Sequence, residues 1–165
     1  MSEIPEIKTI LYATDLGRHM RPVFRHAISM AQHLNARIVM LHVVEPLGST
    51  GEAVISAYLP EKKVEKMERD GMKKILKQMK KRLEDFCRDE IELCGEEDSM
   101  VRDIVVATGR PSDKIPEEAE KYHADMIVMG SSSEGFIAHG LLGSTARHVT
   151  QVSHLPVLLV PNRTH

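Results

Sequence analysis

The chain has 165 residues, 42% hydrophobic and 28% charged, with a formal net charge of −2 when His is neutral. That is enough apolar content for one globular core, so a single domain spanning 1–165, with its core at about 8–161, is expected. The small negative charge offers no basic field to nucleic acid or an anionic membrane, and 4% aromatic residues without Trp leave little to stack on unpaired bases. Two cysteines, Cys87 and Cys94, make neither a disulfide framework nor a zinc pattern. Reduced thiols in a cytoplasmic protein are the expectation. The start, Met1 to Glu6, is acidic and has no apolar signal core, and no apolar run approaches the length needed to span a membrane.

In chain order, Thr9 to Ala13 is a short apolar run that predicts a buried strand. It stops at Thr14-Asp15-Leu16-Gly17, which puts Asp15 at a strand's carboxyl end, or makes Thr14 or Asp15 the cap of the next helix. Arg21 to Asn35 predicts a helix with Val23, Ala27, Met30, Ala31 and Leu34 on its buried side. Arg37 to Val44 predicts a second strand, and His42 inside it reads as a core histidine satisfied by backbone. Glu45 to Pro60 is a loop rich in Pro and Gly, with room for a short helix at 54–59. Glu61 to Asp89 predicts a long charged helix with Val64, Met67, Gly71, Ile75, Met79, Leu83 and Phe86 as its buried stripe. Gly71 marks a bend or a close packing contact in it.

Met100 to Ala107 predicts a third strand, and Ser112 an N-cap for a helix reaching about Tyr122. Pro116 fits that helix only within its first turn. Met126 to Met129 predicts a fourth strand closed by Gly130. A polar loop follows, then a helix from about Ser144 to Ser153 and a last strand inside Pro156-Val-Leu-Leu-Val-Pro161, whose flanking prolines suit a sheet edge. Arg163 to His165 reads as a loose tail. Strands alternating with helices imply an α/β fold with a doubly wound parallel sheet.

Candidate chemistry gathers at two strand ends, Ala13-Thr14-Asp15 and Gly130-Ser131-Ser132. If those strands are neighbours, the crevice between them is where such sheets bind ligands. Gly143-Ser144-Thr145 adds a helix N-terminus, whose free N–H groups and dipole favour an anion. Arg147 and His148 either add positive charge one turn in or point to solvent. The alternative is an ordinary strand–helix crossover with a long loop.

Taken together, these segments resemble the universal stress protein family in its single-domain form. The resemblance runs from about Lys8 to Val160. It is carried by Thr14-Asp15, Leu41-His42-Val43-Val44, Val106 to Pro111, Asp125 to Gly130, Leu141 to Ser144 and Leu155 to Val160. It implies a five-stranded Rossmann-like sheet of the adenine nucleotide alpha hydrolase type, in strand order 3-2-1-4-5. It implies an adenine nucleotide, ATP, ADP or AMP, with Mg as a companion of the phosphates. It also implies a homodimer built on the last strand, 156–161. By the same resemblance Ala13, Thr14, Asp15, Val43, Met129 and Gly130 surround the adenosine. Ser131, Ser132, Ser133, Gly143, Ser144 and Thr145 hold the phosphates.

ATP-binding members carry G-x2-G-x9-G-[S/T]. Gly130, Gly143 and Ser144 match it, while Ser133 stands where the second glycine would be. A serine forced to positive φ there would cost about 1 kcal/mol. Three readings follow: a nucleotide-binding regulator of the stress response, an enzyme acting on the nucleotide's phosphates, and a dimeric scaffold that lost the nucleotide through Ser133. No P-loop is present, and Glu134 and His139 are the loose candidates for a base. No catalysis beyond slow ATP hydrolysis is expected. The partner protein is not named by any motif.

Overall fold

The computed structural model describes residues 3–17, 19–46, 48, 53–54, 57–94, 100–132 and 141–162. The chain runs β1 (Thr9–Ala13), α1 (Arg21–Leu34), β2 (Arg37–Val44), α2 (Glu61–Cys94), β3 (Val101–Thr108), α3 (Pro111–Lys121), β4 (Met126–Gly130), α4 (Ser144–Val152) and β5 (Val157–Val160). The strands form one parallel sheet in the order β3-β2-β1-β4-β5, as expected. The order reverses beside β1. The chain winds outward through β2 and β3, then returns to place β4 on β1's other side.

Strand residues of alternating parity feed two apolar layers, which is why the strands read as continuous apolar runs. Ile10, Tyr12, Ile38, Met40 and Val128 face α1 and the far half of α2. Leu11, Val39, Leu41, Ile127 and Met129 face α3 and α4. Phe24 of α1 sits between Tyr12 and Phe86, with ring centroids 5.0 and 5.5 Å away. Each such pair adds about 0.5–1.5 kcal/mol beyond the area it buries. Asp125 fastens the amino end of the sheet: its Oδ2 accepts the N–H groups of Lys8 and Thr9 at 2.8 and 2.9 Å.

Several helical details depart from the expectations. In α1, Phe24 and Ile28 are buried along with Val23, Ala27 and Ala31, whereas Leu34 is exposed. Asn35 ends the helix in the left-handed conformation, φ 52°. Neither Thr14 nor Asp15 caps α1; Met20 holds that position. In α2 the expected stripe holds at Val64, which is buried, and fails at Met67 and Ile75, which are exposed. Gly71 marks no close contact, since a Cβ built on it meets nothing within 4 Å. Burial resumes at Leu83, Cys87 and Glu90. Glu90 is fully buried, and its carboxylate pairs with Arg25 at 2.9 Å and Arg21 at 3.4 Å across to α1. Ser112 does not cap α3, which starts at Pro111 with Arg110 before it. Pro116 therefore lies beyond the first turn and removes one intrahelical bond, to the carbonyl of Ser112. Among the described residues no helix is long and apolar enough to cross a membrane.

Candidate functional site

Ala13, the last residue of β1, lies in register beside Leu41 of β2 and Met129 of β4. Beyond Ala13 β1 leaves the sheet while β2 runs on to Val44, and a cavity of about 370 Å³ opens there. This lies within the ~300–1,000 Å³ typical of small-molecule sites. Of the residues expected at a site, Ala13, Thr14, Asp15, Val43, Met129, Gly130, Ser132, Gly143, Ser144 and Thr145 line it. Ser133 lies outside the described residues, as do Glu134 and His139.

Three residues weighed for the site are not part of its lining. Ser131 does not line the cavity. Its N–H donates to the Val160 carbonyl at 3.0 Å, and its own carbonyl accepts from Gly143 N–H at 2.9 Å, so it joins β4 to β5 and to α4. Arg147 is exposed and reaches the Leu142 carbonyl. His148 pairs with Asp113 at 3.6 Å on the outer surface.

The loop after β1 is shaped by its own side chains. Thr14 Oγ1 accepts the Leu16 N–H at 3.0 Å, and Asp15 Oδ1 accepts the Gly17 N–H at 2.8 Å. These local turns hold Leu16 at φ 60°, a conformation non-glycine residues seldom adopt. Thr14 is buried and Asp15 is exposed at the rim. His42 is satisfied by backbone as expected, with Nδ1 2.8 Å from the Thr14 carbonyl. A carbonyl only accepts, so Nδ1 carries a proton and donates this bond. Burial pushes the Tyr12 phenol well above its usual range, and its O–H donates to the Met20 carbonyl at 3.2 Å.

The cavity has two kinds of wall. Ala13, Leu41, Val43, Met129 and Ile115 make an apolar side. Ser132, Ser144 and Thr145 bring hydroxyls to the other, at the start of α4. Gly143 stands at the N-cap of α4, and no side-chain hydrogen bond closes that first turn. Its N–H groups and the positive dipole end are therefore available to an anion. Among the described residues no Lys or Arg lines the cavity, so an anion there would be held by amides and hydroxyls. Sequence reasoning missed Met20, Leu41, His42, Glu45, Pro111, Ile115 and Ala146. Leu41 and His42 were recoverable, because they adjoin Val43 at the same strand end. Pro111 and Ile115 are brought in by the position of β3 beyond β2, which no local pattern shows.

The model of the universal stress protein family matches residues 6–161. Universal stress protein MJ0577 of Methanocaldococcus jannaschii is 29% identical over 160 residues, 94% of this chain and 96% of that protein. A universal stress protein of Thermus aquaticus, encoded 3′ of a QAH/OAS sulfhydrylase, is 31% identical over 153 residues, 93% of this chain and 98% of that one. The solved MJ0577 structure superposes with a TM-score of 0.76 at 24% identity, covering 98% of this chain and all of that one. A universal stress protein solved in complex with cAMP has a TM-score of 0.59 at 23% identity, covering 96% of this chain and 100% of that one. One from Archaeoglobus fulgidus in complex with dAMP has a TM-score of 0.51 at 20% identity, covering 94% of this chain and 98% of that one. With a family match over nearly its whole length and the sheet order expected of it, the chain belongs to the universal stress protein family.

Proposed function

We propose that this universal stress protein binds an adenine nucleotide, ATP, ADP or AMP, between the ends of β1 and β4, and that the nucleotide regulates its interactions in the cytoplasmic stress response. One observation carries the reading: a cavity with an apolar wall at the strand ends and an uncapped helix N-terminus opposite. A flat apolar base suits the first wall and a phosphate the second. That relatives of this fold have been solved with cAMP and dAMP supports the adenine choice.

In this reading Ala13, Val43 and Met129 pack on the base. Asp15, at the rim, accepts from ribose hydroxyls. Ser132, Ser144 and Thr145 donate to phosphate oxygens, with the Gly143 backbone close enough for the chain to approach them. Mg enters with the nucleotide, held mainly by phosphate oxygens. Among the described residues no group of three His, Cys, Asp or Glu forms a cage for it. Asp15 and His42 already carry structural hydrogen bonds. The protein is therefore read as a binder in which hydrolysis is at most slow. The acting form is read as a homodimer paired along β5.

The test is calorimetry with ATP, together with chromatography of the supernatant after the purified protein is denatured. Binding is expected, and Gly143→Val or Asp15→Ala should weaken it at least tenfold, about 1.4 kcal/mol. Bound ATP should return largely intact after incubation with Mg. A wild-type protein that ignores millimolar ATP would sink the reading and leave a scaffold.

A further inference from the structure

We propose that Asn162 is a positioning residue for the phosphate side of this site, acting through Ser132; this deepens the nucleotide reading above and rests on it. The β4–β5 ladder reaches Ser131, whose N–H donates to Val160. The next β5 donor turned towards β4 would be the Asn162 N–H, but the Ser131 carbonyl it would meet already accepts the Gly143 N–H. The Asn162 side chain takes its place. Oδ1 accepts the Ser132 N–H at 3.0 Å, and Nδ2 donates to the Ser132 carbonyl at 2.7 Å. A carboxamide carries the same donor and acceptor as a peptide group, so it supplies a rung the backbone cannot.

The fit is close on every side. Asn162 is buried, and Nδ2 also lies 3.6 Å from Met20 Sδ. The hydroxyls of Ser132 and Ser131 lie 3.3 and 3.5 Å from Oδ1. A Cβ on Gly130 would fall 2.6 Å from Nδ2 and 2.8 Å from Cγ. Gly130 is not among the residues at positive φ, so it is bare to make room for the carboxamide. Gly130, Ser132 and Met20 all line the cavity, whereas Asn162 sits behind them. Gly143 N–H holds the Ser131 carbonyl from the α4 side. Residues 130–132 are thus pinned between β5, Asn162 and the helix whose N-terminus faces the anion.

Removing the carboxamide leaves both main-chain groups of Ser132 without this partner and opens a hole behind the wall. The base-binding wall, at Ala13, Val43 and Met129, makes none of these contacts. Loss should therefore fall on the phosphates. Calorimetry should show ATP binding about tenfold weaker in Asn162→Ala, with adenosine binding within about twofold of wild type. Gly130→Ala, which displaces the carboxamide, should weaken ATP similarly, and the double variant should be no worse than either single one.

Asn162→Asp separates positioning from mere packing. At neutral pH its carboxylate confronts the Ser132 carbonyl, and ATP binding relative to wild type should fall. As the pH is lowered toward about 5, the protonated carboxyl regains a donor, and the ratio should recover. Amide exchange at Ser132 in the nucleotide-free protein should be at least about fivefold faster in Asn162→Ala. If ATP and adenosine weaken together, or Ser132 exchange is unchanged, the proposal is wrong. A wild type that binds no nucleotide overturns the nucleotide reading and this role with it; an Asn162→Ala protein that binds ATP like wild type overturns only this role.

Discussion

Tyr12 shows how one side chain ties the core to the site. Its ring fills the layer beneath α1, and its hydroxyl donates to the carbonyl of Met20, a residue that also lines the cavity. Burial raises its pKa above the unfolded value of about 10. A group shifted upward stabilises the fold fully below its unfolded pKa, and that contribution drains as the pH climbs toward the folded value. At pH 7, Tyr12→Phe should lower stability by about 1 kcal/mol, the worth of the hydrogen bond. Above pH 10 the wild type should lose up to about 1.4 kcal/mol per pH unit from this group while the variant does not, so by pH 11 the gap should close or invert. Urea midpoints at the two pH values check this; a gap that stays constant refutes it.

At the scale of elements, α2 is where sequence and structure part. Its 34 residues make about 51 Å of helix at 1.5 Å per residue. The eight residues of β3 beside it span only about 26 Å. The helix outruns the sheet, so between Val64, which is buried, and Leu83 it has little to pack on, whatever its periodicity. Apolar spacing identifies a helical face but not where the neighbouring body ends, and so Met67 and Ile75 were misassigned. The same geometry gives a prediction for Gly71, which is exposed with open space where a Cβ would be. Gly71→Ala should stabilise the protein by about 0.5–1 kcal/mol, seen as a raised thermal midpoint. A drop would mean that the glycine answers to something besides helix propensity. The strands, by contrast, were legible from runs of four to eight apolar residues, because each is covered on both faces. Most of the cavity lining was legible for the same reason, since strand ends are marked by the change to small and polar residues. Ser131 was not, because its hydrogen bonds go to Val160 and Gly143, partners set by tertiary pairing. Asn162 was hidden more deeply: a polar residue past the last strand looks like tail, and its partner is thirty residues away.

For the whole molecule, the sheet has two outer strands with different surroundings. β3 runs alongside α2, while β5 is four residues long and pairs only with β4 among the described residues. Val157, Leu158 and Leu159 remain half-buried in the single chain. An apolar edge of this kind is seldom left open in natural proteins. Two copies meeting antiparallel through a short central segment would cover it about a twofold axis. Sedimentation at tens of micromolar should give a dimer for the wild type and a monomer for Leu158→Glu or Leu159→Glu, whichever faces the partner. A wild type that sediments as a monomer ends the dimer reading.

The reach of Asn162 also bears on where the protein may be cut. The family match closes at residue 161, one position before the carboxamide that braces Ser132. A fragment trimmed to that boundary would keep every strand and helix and pass any spectroscopic check of folding, yet its loop would start from an unbraced wall. A shortened version that loses nucleotide while staying folded would therefore report the trimming and not the family.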